Sequence, residues 1–147
     1  MPERWIHTKY SRSLTGRPSR DTSPEIHLRS ALHRAGFRFR LHQRIGGRLT
    51  ADIVLPRHRI AIFVDGCFWH QHGCKVGGAK MPAGPNANAW AVKFANVKER
   101  ERRSTALLHE AGYAVIRVWE CEVRKSTAKI VRAVAHRASR LRLHARS

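Results

Sequence analysis

Acidic residues are scarce in this 147-residue sequence: 10 Asp and Glu stand against 29 Lys and Arg, a formal net charge of +19 at pH 7. So basic a chain repels itself, and a field of that size is matched to a polyanion. Nucleic acid is the first partner implied and an anionic membrane surface the second; a basic surface serving solubility alone is the plain alternative. Arg outnumbers Lys, and its planar fork suits paired contacts to phosphate. Long hydrophobic runs are missing too. None approaches the roughly 20 residues needed to span a bilayer, and mean hydropathy is −0.46, so a membrane-embedded protein is not expected. The start, Met1-Pro-Glu-Arg-Trp-Ile6, lacks the apolar segment of a secretory signal, and a cytoplasmic, nucleoid-associated chain is the expectation. Cysteine is limited to three, an odd number that argues against a disulfide framework and for metal ligation or a reduced thiol.

What is present suffices for one domain, with 42% hydrophobic residues to build its core. Residues 1–20 are polar, Arg-rich and aperiodic, and read as a basic mobile N-terminal arm; residues 21–147 form the domain. Asp21-Thr-Ser-Pro-Glu25 is a helix start, with Thr22 or Ser23 as cap, and that helix stops at Gly36. Strands follow at Phe37–Leu41, Leu49–Leu55 and Ile60–Asp65, the last two joined as a hairpin. Lys75 to Asn88 is a long loop rich in Gly, Pro, Ala and Asn. A helix runs from Trp90 to Gly112, a strand from Tyr113 to Trp119, and a last helix from about Ser126 to Leu143 with a row of Arg outward. This order predicts an α/β domain with a mixed central sheet flanked by helices.

The chemistry is concentrated where the strand Ile60–Asp65 ends. Cys67, His72 and Cys74 crowd into one short turn, and Cys121 follows the next long strand. Together they make a Cys₃His set, a tetrahedral composition for structural zinc, although the spacing matches no standard finger. Three buried thiols and a surface histidine are the bland alternative. Asp52 interrupts an apolar strand and Asp65 ends its neighbour; such acids commonly cradle Mg²⁺, or pair with Arg. Glu101 lies on the apolar stripe of its helix, four residues after Val97, and faces either a site or a salt bridge with Lys98 or an Arg across the interface. Glu25 suits a capping box with Thr22. His70 is spaced to face the carboxylates as a general base. Phe68 and Trp69 are either core or a wedge between base pairs.

With these residues in hand, the sequence resembles the very short patch repair (Vsr) mismatch endonucleases. The likeness is carried by Asp21-Thr-x-Pro-Glu25, Asp52, Phe63-Val-Asp-Gly-Cys-Phe-Trp-His70, Trp90-x-x-Lys93 with Arg100-Glu101, and Gly112-Tyr to Val118-Trp-Glu-Cys121. It implies a restriction-endonuclease-like fold, catalytic Mg²⁺ on Asp52 and the Val64 carbonyl, and structural Zn²⁺ on Cys67, His72, Cys74 and Cys121. It further implies that His70 acts on the attacking water, that Glu25 and Glu101 hold metal-bound waters, and that Phe68 and Trp69 intercalate beside the mismatch. The best-known members of the family carry histidine at the position of Asp65, where some relatives have aspartate, and aspartate at that of Glu101, and this chain lacks the family pattern before Asp21.

The expectation is therefore a Mg²⁺-dependent endonuclease that nicks double-stranded DNA 5′ of the mispaired T at a T:G mismatch. It would work as a monomer, with DNA-repair accessory proteins as further partners. A Vsr-like nicking or homing endonuclease with another DNA target, and a non-catalytic zinc-stabilised DNA-binding module, are the competing readings. RNA binding is disfavoured by the acid cluster.

Overall fold

The structure, a computed structural model, describes residues 22–45, 49–66 and 85–145, and no side chains beyond residue 141. The expected basic arm, residues 1–20, lies outside them. Thr22 caps the first helix, α1 (Ser23–Arg34): its hydroxyl accepts the Glu25 N–H at 3.4 Å, and Pro24 occupies the first turn, where an N–H is not needed. Leu28 and Leu32, one turn apart, are completely buried.

Phe37 and Phe39 do not open a strand as expected. They are half-buried and pack against the core, and β1 spans Arg40–Ile45 instead. The partner decides this, because β1 is hydrogen-bonded antiparallel to β2 (Leu49–Leu55), with Arg40 opposite Val54 and Ile45 opposite Leu49. The expected hairpin is present: β2 pairs antiparallel with β3 (Ile60–Asp65), and every residue of β3 is buried. The chain then crosses over through α2 (Ala87–Glu110) and returns as β4 (Ala114–Trp119), parallel to β3. Sheet order is β1-β2-β3-β4.

The last helix, α3 (Glu120–Ala145), starts earlier than the expected Ser126. Val123, 1% exposed, draws the extra turn onto the core, and Ser126 (φ −157°, ψ 72°) marks a kink between two helical segments. Glu120 and Glu122 complement the positive end of the helix.

Alternation along β3 divides the core in two. Ile60, Ile62 and Val64 face α1 and α3 through Leu28, Leu32, Val123, Ile130 and Val134. Ala61 and Phe63 face the other way, with Ala51, Val54 and Leu108 of α2. The result is an α/β fold of restriction-endonuclease type, a mixed sheet between helical layers. No helix among the described residues is long and apolar enough to cross a membrane.

One stitch fixes α2 against the sheet. Arg59, in the β2–β3 turn, donates to the Ala111 carbonyl at 2.7 Å and the Gly112 carbonyl at 3.4 Å, and its guanidinium lies 4.9 Å from the Tyr113 ring centre. Gly112 has φ 86°, and a Cβ there would stand 3.2 Å from Arg59 Nη2; Gly36 has φ 97° with open space around it. Both substitutions carry the left-handed penalty of about 1 kcal/mol. Gly112→Ala should therefore lower the melting temperature more than Gly36→Ala, a comparison that thermal denaturation of the two variants settles.

Candidate active site

The β2–β3 ladder stops at the pair Ile53–Ile62, and the next residue of β2 is Asp52. Its Oδ2 accepts the Val64 N–H at 2.9 Å, so a carboxylate takes the place of a backbone carbonyl. On the other side, the β1–β2 register sets His42 opposite Asp52, and His42 has the left-handed φ of 47°. The Asp52 carboxyl thus sits where the sheet opens. Burial pushes its pKa up and the charge of Asp65 adds to the rise; the Val64 N–H, His42 and Arg117 pull against it without cancelling it.

Asp65, the last residue of β3, is 6% exposed. A buried carboxylate needs a partner, and β4 supplies it. Arg117, opposite Phe63 in the parallel register, has its guanidinium carbon 4.2 Å from the centre of the Phe63 ring. Nη1 donates to Asp65 Oδ1 at 3.2 Å, Nη2 to the Glu101 carbonyl at 3.2 Å, and Nε to Thr105 Oγ1 at 3.2 Å. Nε also lies 3.7 Å from Glu101 Oε1. One side chain therefore ties β3, β4 and α2 together. Glu101 further borders an open groove of about 460 Å³ along α2, lined by Lys98, Arg102, Thr105, Ala106 and His109. Its lining carries two cations, Lys98 and Arg102, and one carboxylate, Glu101.

Asp52, Val64, Asp65 and Glu101 thus gather as the sequence suggests, and Glu101 takes the cross-interface Arg pairing that was the alternative to a site. Glu25 is buried in the first turn of α1, 4% exposed, with its backbone on the Thr22 cap. Cys67, Phe68, Trp69, His70, His72 and Cys74 lie outside the described residues.

The metal expectations are corrected. Among the described residues no group of three or more His, Cys, Asp or Glu could hold a metal ion. Neither the expected Mg²⁺ site at Asp52 with the Val64 carbonyl nor the zinc part of the expected fold is found among these residues, and of the expected zinc set, Cys67, His72, Cys74 and Cys121, only Cys121 is one of them. At the strand ends the physical reason is visible. The cation between Asp65 and Glu101 is the Arg117 guanidinium, and Val64 meets Asp52 through its N–H rather than its carbonyl. Cys121 is half-buried in the first turn of α3.

Two residues of this arrangement were missed in the sequence. Arg117 carried a signal, a lone charge inside the apolar run Ala114–Trp119, which is the same signal that singled out Asp52. Nothing in the sequence around His42 announces a left-handed residue in mid-strand.

Two outcomes follow from this geometry. A raised folded-state pKa means that Asp52 binds its proton more tightly in the native protein than in the unfolded chain. Its contribution to stability is then fullest below the ordinary carboxylate value of 3.8 and is lost as pH rises through the raised value. Asp52→Asn should accordingly melt higher than the parent at neutral pH, by a margin that shrinks on acidification, while losing any hydrolytic activity. Arg117→Met leaves Asp65 buried without its guanidinium and should cost about 3 kcal/mol of stability, the loss expected for breaking a buried pair. Arg117→Lys, which keeps the charge and loses the fork, should cost less. Denaturant melts of the two variants test the order.

Known proteins match both the sequence and the fold. The family profile described as "DNA mismatch endonuclease Vsr" matches residues 5–76. The chain is 42% identical over 106 residues to the "Type II nicking enzyme V.XorIIP" of Xanthomonas oryzae pv. oryzae, covering 71% of this chain and 74% of that protein. It is 38% identical over 122 residues to the "DNA mismatch endonuclease Vsr" of Escherichia coli K12, covering 81% of this chain and 75% of that one. Among solved structures, the catalytic domain of the homing endonuclease I-Bth0305I shares the fold, with a TM-score of 0.55, 16% identity, 82% of this chain and 98% of that domain covered. Nuclease relatives on this scale, together with the strand-end acids and the basic groove, establish that the chain belongs to the Vsr family of DNA mismatch endonucleases.

Proposed function

We propose that this protein nicks one strand of duplex DNA at T:G mismatches, hydrolysing the phosphodiester 5′ of the mispaired T. The observation that carries the reading is the gathering of Asp52, Asp65 and Glu101 around Arg117 at the open end of the sheet, beside a basic groove. Water adds to phosphorus, the bond from phosphorus to the departing sugar oxygen breaks, and the attacking water gives up a proton. His70 takes that proton, and the departing sugar oxygen takes one from solvent. Asp52, held by the Val64 N–H and more basic than an ordinary carboxylate, orients the water. Asp65 and Glu101 steady Arg117, whose charge offsets the repulsion between acids and phosphate. Glu25 completes the acid set from α1, and Phe68 with Trp69 forms the wedge that opens the mismatched step.

A second reading, a nicking enzyme with another DNA target, is favoured by the relatives from Xanthomonas and from Lentzea aerocolonigenes, both described as nicking enzymes. A gel assay on a T:G duplex and its matched control separates the two. The mismatch reading expects one nick in the T:G duplex and none in the control. Equal nicking of both duplexes would leave the nuclease and remove the mismatch specificity, and no nick in either would sink the enzyme claim. His70→Ala and Asp52→Ala should each retain duplex binding and lose at least 100-fold in nicking rate, on the order of what a positioned acid or base supplies. A non-catalytic DNA-binding module would lose nothing.

A further inference from the structure

We infer that the outer side of α3 is a second phosphate-binding surface, separate from the strand-end site, on which the duplex rests outside the nicked step. The inference depends on the DNA substrate proposed above. From Val123 to Ala145 the chain contains no acidic residue. Ile130, Val134 and Ala138 are buried against the sheet layer, Lys129, Arg132 and His136 are exposed on the opposite side, and Arg137 is exposed at the edge between the two faces. Lys129, Arg132 and His136, three and four residues apart, share one stripe.

A merely solvated face is built differently, and α2 shows how. There Glu99 takes Arg102 at 2.7 Å and Arg103 at 3.0 Å, so like charges one turn apart are interleaved with an acid. The stripe on α3 has no such acid and carries the repulsion of neighbouring cations, about 0.2–0.5 kcal/mol per pair in an isolated helix. A phosphate backbone removes that repulsion, because each cation then faces an anion. The geometry suits a duplex. Lys129 to Arg137 covers about 12 Å at 1.5 Å per residue, a length over which double-stranded DNA presents roughly seven phosphate charges. Location suits it as well. α3 starts directly after Trp119, which is paired with Asp65, so the helix leaves from the end of the sheet that holds the site. It covers the sheet face opposite α2 and its groove.

The test is the salt dependence of binding to a 30-base-pair duplex, measured for the parent and for the triple variant Lys129→Gln, Arg132→Gln, Arg137→Gln. The control variant Arg40→Gln, Arg44→Gln, Arg57→Gln removes the same charge from the β1 edge and the β2–β3 turn. Each lost phosphate contact lowers the slope of log K against log salt by about 0.9, so the α3 variant should lose two to three units of slope. The control should lose less than one, and the nicking rate of saturated enzyme should be the parent's in both. Ala133→Lys, which adds a cation to an exposed position on the same side, should steepen the slope by about 0.9; this outcome needs no charge deletion and survives any loss of stability in the triple variant. Equal slopes for parent and α3 variant, or equal losses in α3 variant and control, overturn the assignment and leave the nuclease reading intact. The first of these is also the result expected if α3 serves an acidic protein partner. A parent protein with no salt-dependent duplex binding overturns the DNA substrate and this surface together.

Discussion

The structure turns on a charge that has to be inside. Phosphate chemistry calls for acids at the end of the sheet, yet Asp65 is nearly out of water there and Asp52 largely so, each raising the energy of the other. Two close carboxylates in a poorly hydrated place would protonate or push the strands apart. Arg117 is the solution the fold has reached. Its planar fork satisfies acceptors on β3 and α2 together, and its face rests on Phe63, so the half-buried cation has its hydrogen bonds made. Because the same guanidinium bonds to β3 and α2 from β4, the geometry of the candidate site and helix–sheet packing are one arrangement rather than two.

Much of the frame was legible in the chain, and the reasons are local. Ile60–Asp65 reads as a buried strand because it is unbroken and β-branched, and Thr22, Pro24 and Gly36 punctuate α1 because cap, first turn and left-handed exit each need their residue type. Legibility ended where partners decide. Phe37 and Phe39 alternate with basic residues as a strand would, but the ladder with β2 begins only at Arg40. Ser126 was read as a helix start because it does begin the longer segment of α3; the preceding turn exists only because Val123 finds a place in the core.

At the site the same division holds. Asp52 and Glu101 were noticeable as charges in apolar company, and the sheet does bring them to one neighbourhood. Composition alone then suggested metal, because a list of acids, histidines and cysteines has no way of showing that an arginine stands among the acids. An arginine partner was the alternative for these acids, and Arg117, the lone charge of β4, fills that place for Asp65 and Glu101. The reach of His42 to a left-handed conformation opposite Asp52 had no such forerunner, since it belongs to the strand pairing and not to the residue.

The stitch between Arg59 and the end of α2 has a mechanical meaning. A helix is stiff, and this one is held at Ala111 and Gly112 by the β2–β3 turn and again by Arg117 at Glu101, ten residues toward its N-terminus. That distance is about 15 Å of rod. Five degrees of pivot at the stitched end would swing Glu101 through about 1 Å, a displacement that can cost an active site a hundredfold in rate. Arg59 touches nothing in the candidate site, yet it is a fulcrum for the helix that carries Glu101, and substitutions at the far end of the sheet can shift the site without altering any residue in it.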